Sequence, residues 1–456
     1  MVAAQSCRAA RRRPSRWPML VLPLALLVAD CGGGGGGDGT VATTAGGDAG
    51  AAAGGPPVSS PATPTTTTTP SSPSSPTTPT TPATPPAGSG ATPPAGPAVQ
   101  QATWTVVFSD ATGQAGPRSL NRNGQLAFTG LTALGPRARY FDGTTVHELD
   151  GGAASAVSVN EAGQVVGHFE AGDFTRAFRW QAGTQQPPLV LDTSPDVSSD
   201  AVSINTAGVA AGTESSRRNL PGSAIRWAGG GLAQALAPLE PSPPGSSQGR
   251  FINTAGAVAG VALGIAGNHA AFWGPGSAVV LDVGTLGGTE SQPAALNDAG
   301  QVAGQATTAD GRERAFLWSE ASGILDLGTL GGPTSSANAM NAAGSVVGTA
   351  DAADGSTAAF LWRDGAMRAL GTLGGRTSAA SAINASGLVG GNAATATGVP
   401  HAFVWTEATG MVDLNDRLTG TSPGVLQSVL AVSDDGSVLA MADGGTLVLL
   451  RPTASP

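Results

Sequence analysis

From Trp104 onward the chain repeats one phrase, and the period of that phrase limits the fold more than any other feature. Small and apolar residues alternate into an Asn, two residues follow, and then a Gly. The clearest copies are Asn297-Asp-Ala-Gly300, Asn341-Ala-Ala-Gly344 and Asn384-Ala-Ser-Gly387. Earlier copies centre on Asn121, Asn160, Asn205 and Asn253, and a last one carries Ser433 in the Asn place with Gly436 after it. Successive copies lie 39, 45, 48, 44, 44, 43 and 49 residues apart. Most are followed by a Val-rich run, then by a phrase ending in Trp180, Trp227, Trp273, Trp318, Trp362 or Trp405, then by a short apolar run such as 324–327. Each unit thus offers four short strand candidates and no helix-length apolar periodicity. That is the period and strand number of a propeller blade.

The count of units is eight. The last has only three strands, around Ala431, around Leu439 and at 446–450, while a spare strand, 104–108, precedes the first. If the spare strand completes the last unit, eight four-stranded blades close into a ring and no sheet edge is left to aggregate. The fold class is therefore all-β, a β-propeller of about eight blades. Seven blades, or an open β-solenoid capped at both ends, are the competing architectures. Each Asn is placed to start an Asx turn and each following Gly to take φ > 0, so Asn-x-x-Gly reads as structural. The Trp series reads as packing between blades, because Ala-Phe-Leu-Trp is apolar on both strand faces. A sugar-stacking platform is the other use of six Trp.

The segment before the repeats reads as an address and a spacer. Arg8, Arg11, Arg12, Arg13 and Arg16 precede an 11-residue apolar run, 19–29, which is too short to span a bilayer. The run ends at Val28-Ala29-Asp30-Cys31, followed by six glycines. This resembles a bacterial lipoprotein signal, except that Asp30 stands where a small residue is usual. The resemblance implies a signal peptide over 1–30, lipidation of Cys31 and a membrane partner held through the lipid. Localisation is then exported, at the bacterial outer membrane or cell surface, with a periplasm-facing orientation as the alternative. Residues 31–100 hold fourteen Pro between Pro56 and Pro97 among Gly, Ala, Thr and Ser. Such a linker cannot bury enough apolar surface to offset its ordering entropy. The propeller domain then covers 101–456.

Charge excludes one class of partner. All 22 basic residues are Arg, against 31 acids. Removing the five Arg and one acid before Cys31 leaves 17 against 30, a balance of −13. An acidic chain with no basic patch is a poor nucleic-acid binder. Cys31 would be the only Cys after processing, so no internal disulfide forms.

The units from about Ala278 to Asp416 resemble the HAF-repeat family of extracellular bacterial proteins, named for a His-Ala-Phe tripeptide before the Trp. His401-Ala-Phe403-Val-Trp405 carries the tripeptide intact. Arg314-Ala-Phe316-Leu-Trp318 and Ala358-Ala-Phe360-Leu-Trp362 are variants, and His269-Ala-Ala-Phe272-Trp273 keeps the His. The linker Gly-Thr-Leu-Gly-Gly, starting at Gly284, Gly328 and Gly371, is the second marker. The resemblance implies export and a repeat domain, and no established activity.

Few residues of the repeats stand at spacings that carry chemistry. His147, His168, His269 and His401 show no metal-ligand spacing, and there is no Gly-x-Ser-x-Gly elbow or phosphate loop. Asp310, Asp351 and Asp354 fall short of a calcium loop. No catalytic residue, metal or cofactor is expected. Asp192, Asp282, Asp326 and Asp413 recur on the fourth strand, where a charge protects a sheet edge. Four positions before each Trp stand Arg176, Ser223, His269, Arg314, Ala358 and His401. The candidate binding surface is therefore His269, Arg314 and His401, together with Arg217 and Arg218 in the unit that departs most from the pattern. The expected function is a tethered, monomeric module that binds an extracellular protein or glycan without catalysis. A structural envelope spacer, or a propeller hydrolase or lyase acting on glycan, is the alternative.

Overall fold

The computed structural model describes residues 102–453 except 150–151, 185, 193, 195, 217–221, 229–231 and 241–245. The signal segment, Cys31, the linker, Arg217 and Arg218 lie outside the described residues. Seven antiparallel four-stranded blades follow one another over 113–148, 154–190, 198–235, 247–284, 287–326, 331–369 and 374–413. The eighth blade is Leu426–Val432, Val438–Ala442 and Leu447–Pro452, completed by the N-terminal strand Trp104–Asp110. That strand runs antiparallel to Leu447–Pro452, from Trp104 opposite Pro452 to Asp110 opposite Leu447. The Thr453 amide donates to the Thr103 carbonyl at 2.8 Å. The architecture is thus a closed eight-bladed β-propeller, neither seven-bladed nor an open solenoid. One short strand was not expected: Leu418–Thr419 pairs in parallel with Trp104 and Thr105 and covers the outer edge of the closing blade.

From blade 2 to blade 8 the first strand of each blade neighbours the first strand of the next. First strands therefore line the central bore, and fourth strands lie outside. Burial follows the joints between blades. Eight apolar clusters occur, and each draws residues from two adjacent blades. Trp180, Trp227, Trp273, Trp318, Trp362 and Trp405 all pack into the joint with the preceding blade. Trp318, for example, lies 5.2 Å from the Phe272 ring of blade 4. The Trp are core, and the stacking-platform reading falls.

The two units without a Trp solve the same problem differently. Phe141 stands opposite Leu126 as Trp318 stands opposite Val302, and it fills the joint between blades 8 and 1. Leu450 holds that register in blade 8, and Trp104 from the closing strand supplies the missing bulk.

The repeated Asn does more than start a turn. Oδ1 of Asn160 accepts from the amides of Ala162 and Gln164, closing the hairpin. Its Nδ2 donates across the joint to the carbonyl of Asn205, the next Asn in the series, at 2.8 Å. The same link runs from Asn121 to Asn160, Asn205 to Asn253, Asn253 to Asn297, Asn341 to Asn384 and Asn384 to Ser433, at 2.9–3.2 Å. Asn297 turns its amide to Gln301 Oε1 instead. These Asn are buried, so each unmade bond would carry a full desolvation cost. A second stitch comes from Ser199, Ser247, Ser291, Ser335 and Ser378, whose hydroxyls accept third-strand amides of the preceding blade at 2.8–3.0 Å.

Candidate functional site: the central bore

The residues singled out by the repeat pattern do not gather into one site. His269, Arg314 and His401 begin the third strands of blades 4, 5 and 7, and no hydrogen bond or ion pair joins them among the described residues. His269 Nδ1 meets Asp282 at 2.9 Å, and His401 Nδ1 meets Asp413 at 2.6 Å, each across one strand of its own blade. Arg314 Nε is buried with no partner among the described residues.

The recurring Asp were expected to guard sheet edges; Asp282, Asp326 and Asp413 do lie on the outermost strands, and the structure adds a second role. Asp192, Asp282, Asp326 and Asp413 each accept the amide two residues on, at 2.8–2.9 Å, and so make the turn that leaves the fourth strand. Asp310 and Asp354 likewise serve their own hairpins, accepting from Thr308 and Ser356.

All four His are paired to Asp. His147 Nε2 lies 2.8 Å from Asp142. That bond, with the turn amides of Thr145 and Thr144, holds the Asp142 carboxyl well below the usual range. His168 of blade 2 lies 2.9 Å from Asp200, on the bore strand of blade 3. Burial opposes the charge on His168, but Asp200 and Glu170 outweigh it and raise its pKa.

The bore strands carry one repeat position whose residue changes from blade to blade. Three residues before each repeat Asn, the first strand skips a residue out of register, leaving a β-bulge at Val157, Val202, Arg250, Ala294, Asn338, Ser381 and Leu430. Arg118 holds the same offset from Asn121 in blade 1. A bulge re-aims a side chain without disturbing the ladder on either side. Asn338 and Ser381 use the position to donate to the next blade, to the carbonyls of Ala380 and Val429.

Arg118 behaves differently. Its guanidinium carbon lies 3.9 Å from the centre of the Phe251 ring, on blade 4. Blades 1 and 4 are not neighbours, so the side chain reaches across the bore. Among the described residues, Arg250, beside Phe251, makes only long contacts to Gln292 and Gln248, at 3.4 and 3.5 Å. A cavity of about 130 Å³ opens beside it, lined by Ser246, Gln248, Val261, Asn268 and Gln292 among others. Sequence reading missed Arg118 and Arg250. Their signal was the repeat phase, since they are the only cations at an offset otherwise held by apolar or neutral residues.

No family model and no curated protein matches the chain. Among solved structures it is similar to Porphyromonas gingivalis dipeptidyl peptidase 4, at 11% identity and a TM-score of 0.49. That match covers 70% of this chain and 56% of the peptidase, so the chain spans little more than half of that protein. It is also similar to the Dos1 propeller (10% identity, TM-score 0.49, 77% of this chain and 95% of that one). A third match is TolB from Acinetobacter baumannii (10% identity, TM-score 0.35, 73% and 80%). Likeness at this level says nothing of activity; the propeller rests on its own strand pairings.

Proposed function

We propose that the protein is an exported propeller, tethered through Cys31, that binds an extracellular or periplasmic partner and performs no catalysis. One observation carries this reading. The frame positions, Asn at the hairpin and Trp at the joint, are nearly constant around the ring, while the bore position three residues earlier changes from blade to blade. A scaffold needs the first set constant. A ligand in the bore would account for the Arg in a second set that also holds Val, Ala, Asn, Ser and Leu, of which Asn338 and Ser381 bond to the next blade and Leu430 packs on a core cluster. The spacing before Cys31 supports a lipid anchor, and lipidated Cys holds a protein stably when several chains are attached.

Two measurements test the reading. Cys31→Ser should move the full-length protein from the membrane to the soluble fraction after detergent-free lysis. Screening the full-length protein against glycans and envelope extracts should yield a partner whose capture is lost when the bore position is altered. Capture unaffected by bore substitutions would move the site elsewhere, and unchanged fractionation with no acyl mass would remove the anchor.

A further inference from the structure

Arg118 and Arg250 are the part of the bore that the frame does not explain. Frame positions pair: every His has an Asp, and the belt Asn use both ends of the amide. Arg118 has no carboxylate partner and no hydrogen bond to its guanidinium among the described residues, and its Nε is buried. Burial, and after it the nearby charge of Arg250, push its pKa down to about 10. Burial also lowers that of Arg250. Both stay cationic at neutral pH.

Both Arg are half-buried, and two cations held near each other without a carboxylate between them repel. The exported chain has 30 acids for 17 bases, so a partner carboxylate was not scarce. Phe251 occupies a face of the Arg118 guanidinium and leaves its N–H donors unspent. Arg250 opens onto the cavity, where Gln248, Gln292 and Asn268 add neutral amides. The cavity exceeds many times over the roughly 10–15 Å³ that one water needs.

We propose that the bore binds an oxyanionic group, a phosphate or a carboxylate, between Arg118 and Arg250. The inference rests on the reading of the bore as the binding surface. Planar guanidinium forks match the paired oxygens of either group, and an anion converts the repulsion between the two Arg into attraction to a shared centre. Among the described residues the cavity lining offers amides and hydroxyls and no carboxylate.

The test uses the full-length protein, with melting followed in sodium phosphate, sodium succinate and sodium chloride at matched ionic strength. A saturable rise with phosphate or succinate and none with chloride is expected, since a ligand of the folded state stabilises it by mass action. The larger of the two rises tells phosphate from carboxylate. Arg118→Met and Arg250→Met should each weaken the effect at least tenfold while leaving the anion-free melting temperature unchanged or higher. If either Met variant fails to fold, Arg118→Lys and Arg250→Lys keep the charge, lose the fork, and should bind with intermediate affinity. Broadening of the ³¹P resonance of inorganic phosphate gives an independent reading. Equal shifts in chloride, or shifts retained in both variants, would overturn the site. Should neither anion act while a partner binds wild type and Arg118→Met alike, the anion site falls and the binding module stands. Should no partner of any class bind either, both fall.

Discussion

Asn338 lies on the first strand of blade 6 and Asn341 just past its end; they are the same amino acid, yet they belong to different regions of the molecule. Asn341 is one bead of a belt that repeats in blade after blade: its oxygen closes a hairpin and its amide ties blade 6 to blade 7. Asn338 also ties blade 6 to blade 7, but its equivalents are Arg118, Val157, Val202, Arg250, Ala294, Ser381 and Leu430. The belt changes little, with Ser433 its one substitution, because its polar groups are buried and each needs a partner. The bore tolerates change because a bulge frees the side chain from the ladder. In a repeat protein, therefore, constancy marks the frame, and the site must be sought where phase is kept but identity is not.

The largest loss is expected at the frame. Excising 104–110 removes the closing strand, strips Trp104 from the joint between blades 7 and 8, and exposes the edge at Leu447–Pro452. Full burial of each large apolar side chain stabilises by about 1.5–3 kcal/mol, so the loss is on the order of 5 kcal/mol. Calorimetry should show a melting transition that is far lower or no longer cooperative; an unchanged one would deny the closure.

Trp318→Ala comes next. Trp318 is 5% exposed between blades 4 and 5. Truncation should cost about 3–5 kcal/mol in urea unfolding. Weak acrylamide quenching of the wild-type Trp emission should accompany it, and strong quenching would contradict burial.

The smallest effect is one of pH. His168 is raised above its ordinary value by Asp200 and Glu170 against the cost of burial. A raised folded-state pKa gives stability that is complete below about pH 6.5 and is lost as pH rises through the folded value. His168→Gln should flatten that part of the stability–pH curve. A curve of the same shape in the variant would assign the dependence to another group.

Much of the frame is legible in the sequence because it repeats locally. The Asn-x-x-Gly hairpin closes within four residues, the Trp phrase declares both faces apolar, and the spare strand 104–108 answers a three-stranded last unit. What was not legible depends on the ring being closed. The Asn-to-Asn bonds span a whole unit, and their partner is a backbone carbonyl that carries no residue signature. Arg118 over Phe251 joins blades that meet only across the bore. The turn-making role of Asp282 and Asp413 was hidden because an Asp at a strand end also suits edge protection. His269 and His401 marked a repeat position faithfully, but their chemistry is spent on those same Asp.

The division between frame and bore is tested most directly by paired urea unfolding of Asn341→Ala and Arg118→Met in the full-length protein without added anion. Asn341→Ala leaves the amides of Ala343 and Ser345 and the carbonyl of Asn384 without their side-chain partner. It should lose about 2–3 kcal/mol. Arg118→Met removes a half-buried cation whose Nε has no partner among the described residues, and should lose nothing or gain. A stable Asn341→Ala beside a strongly destabilised Arg118→Met would contradict the account.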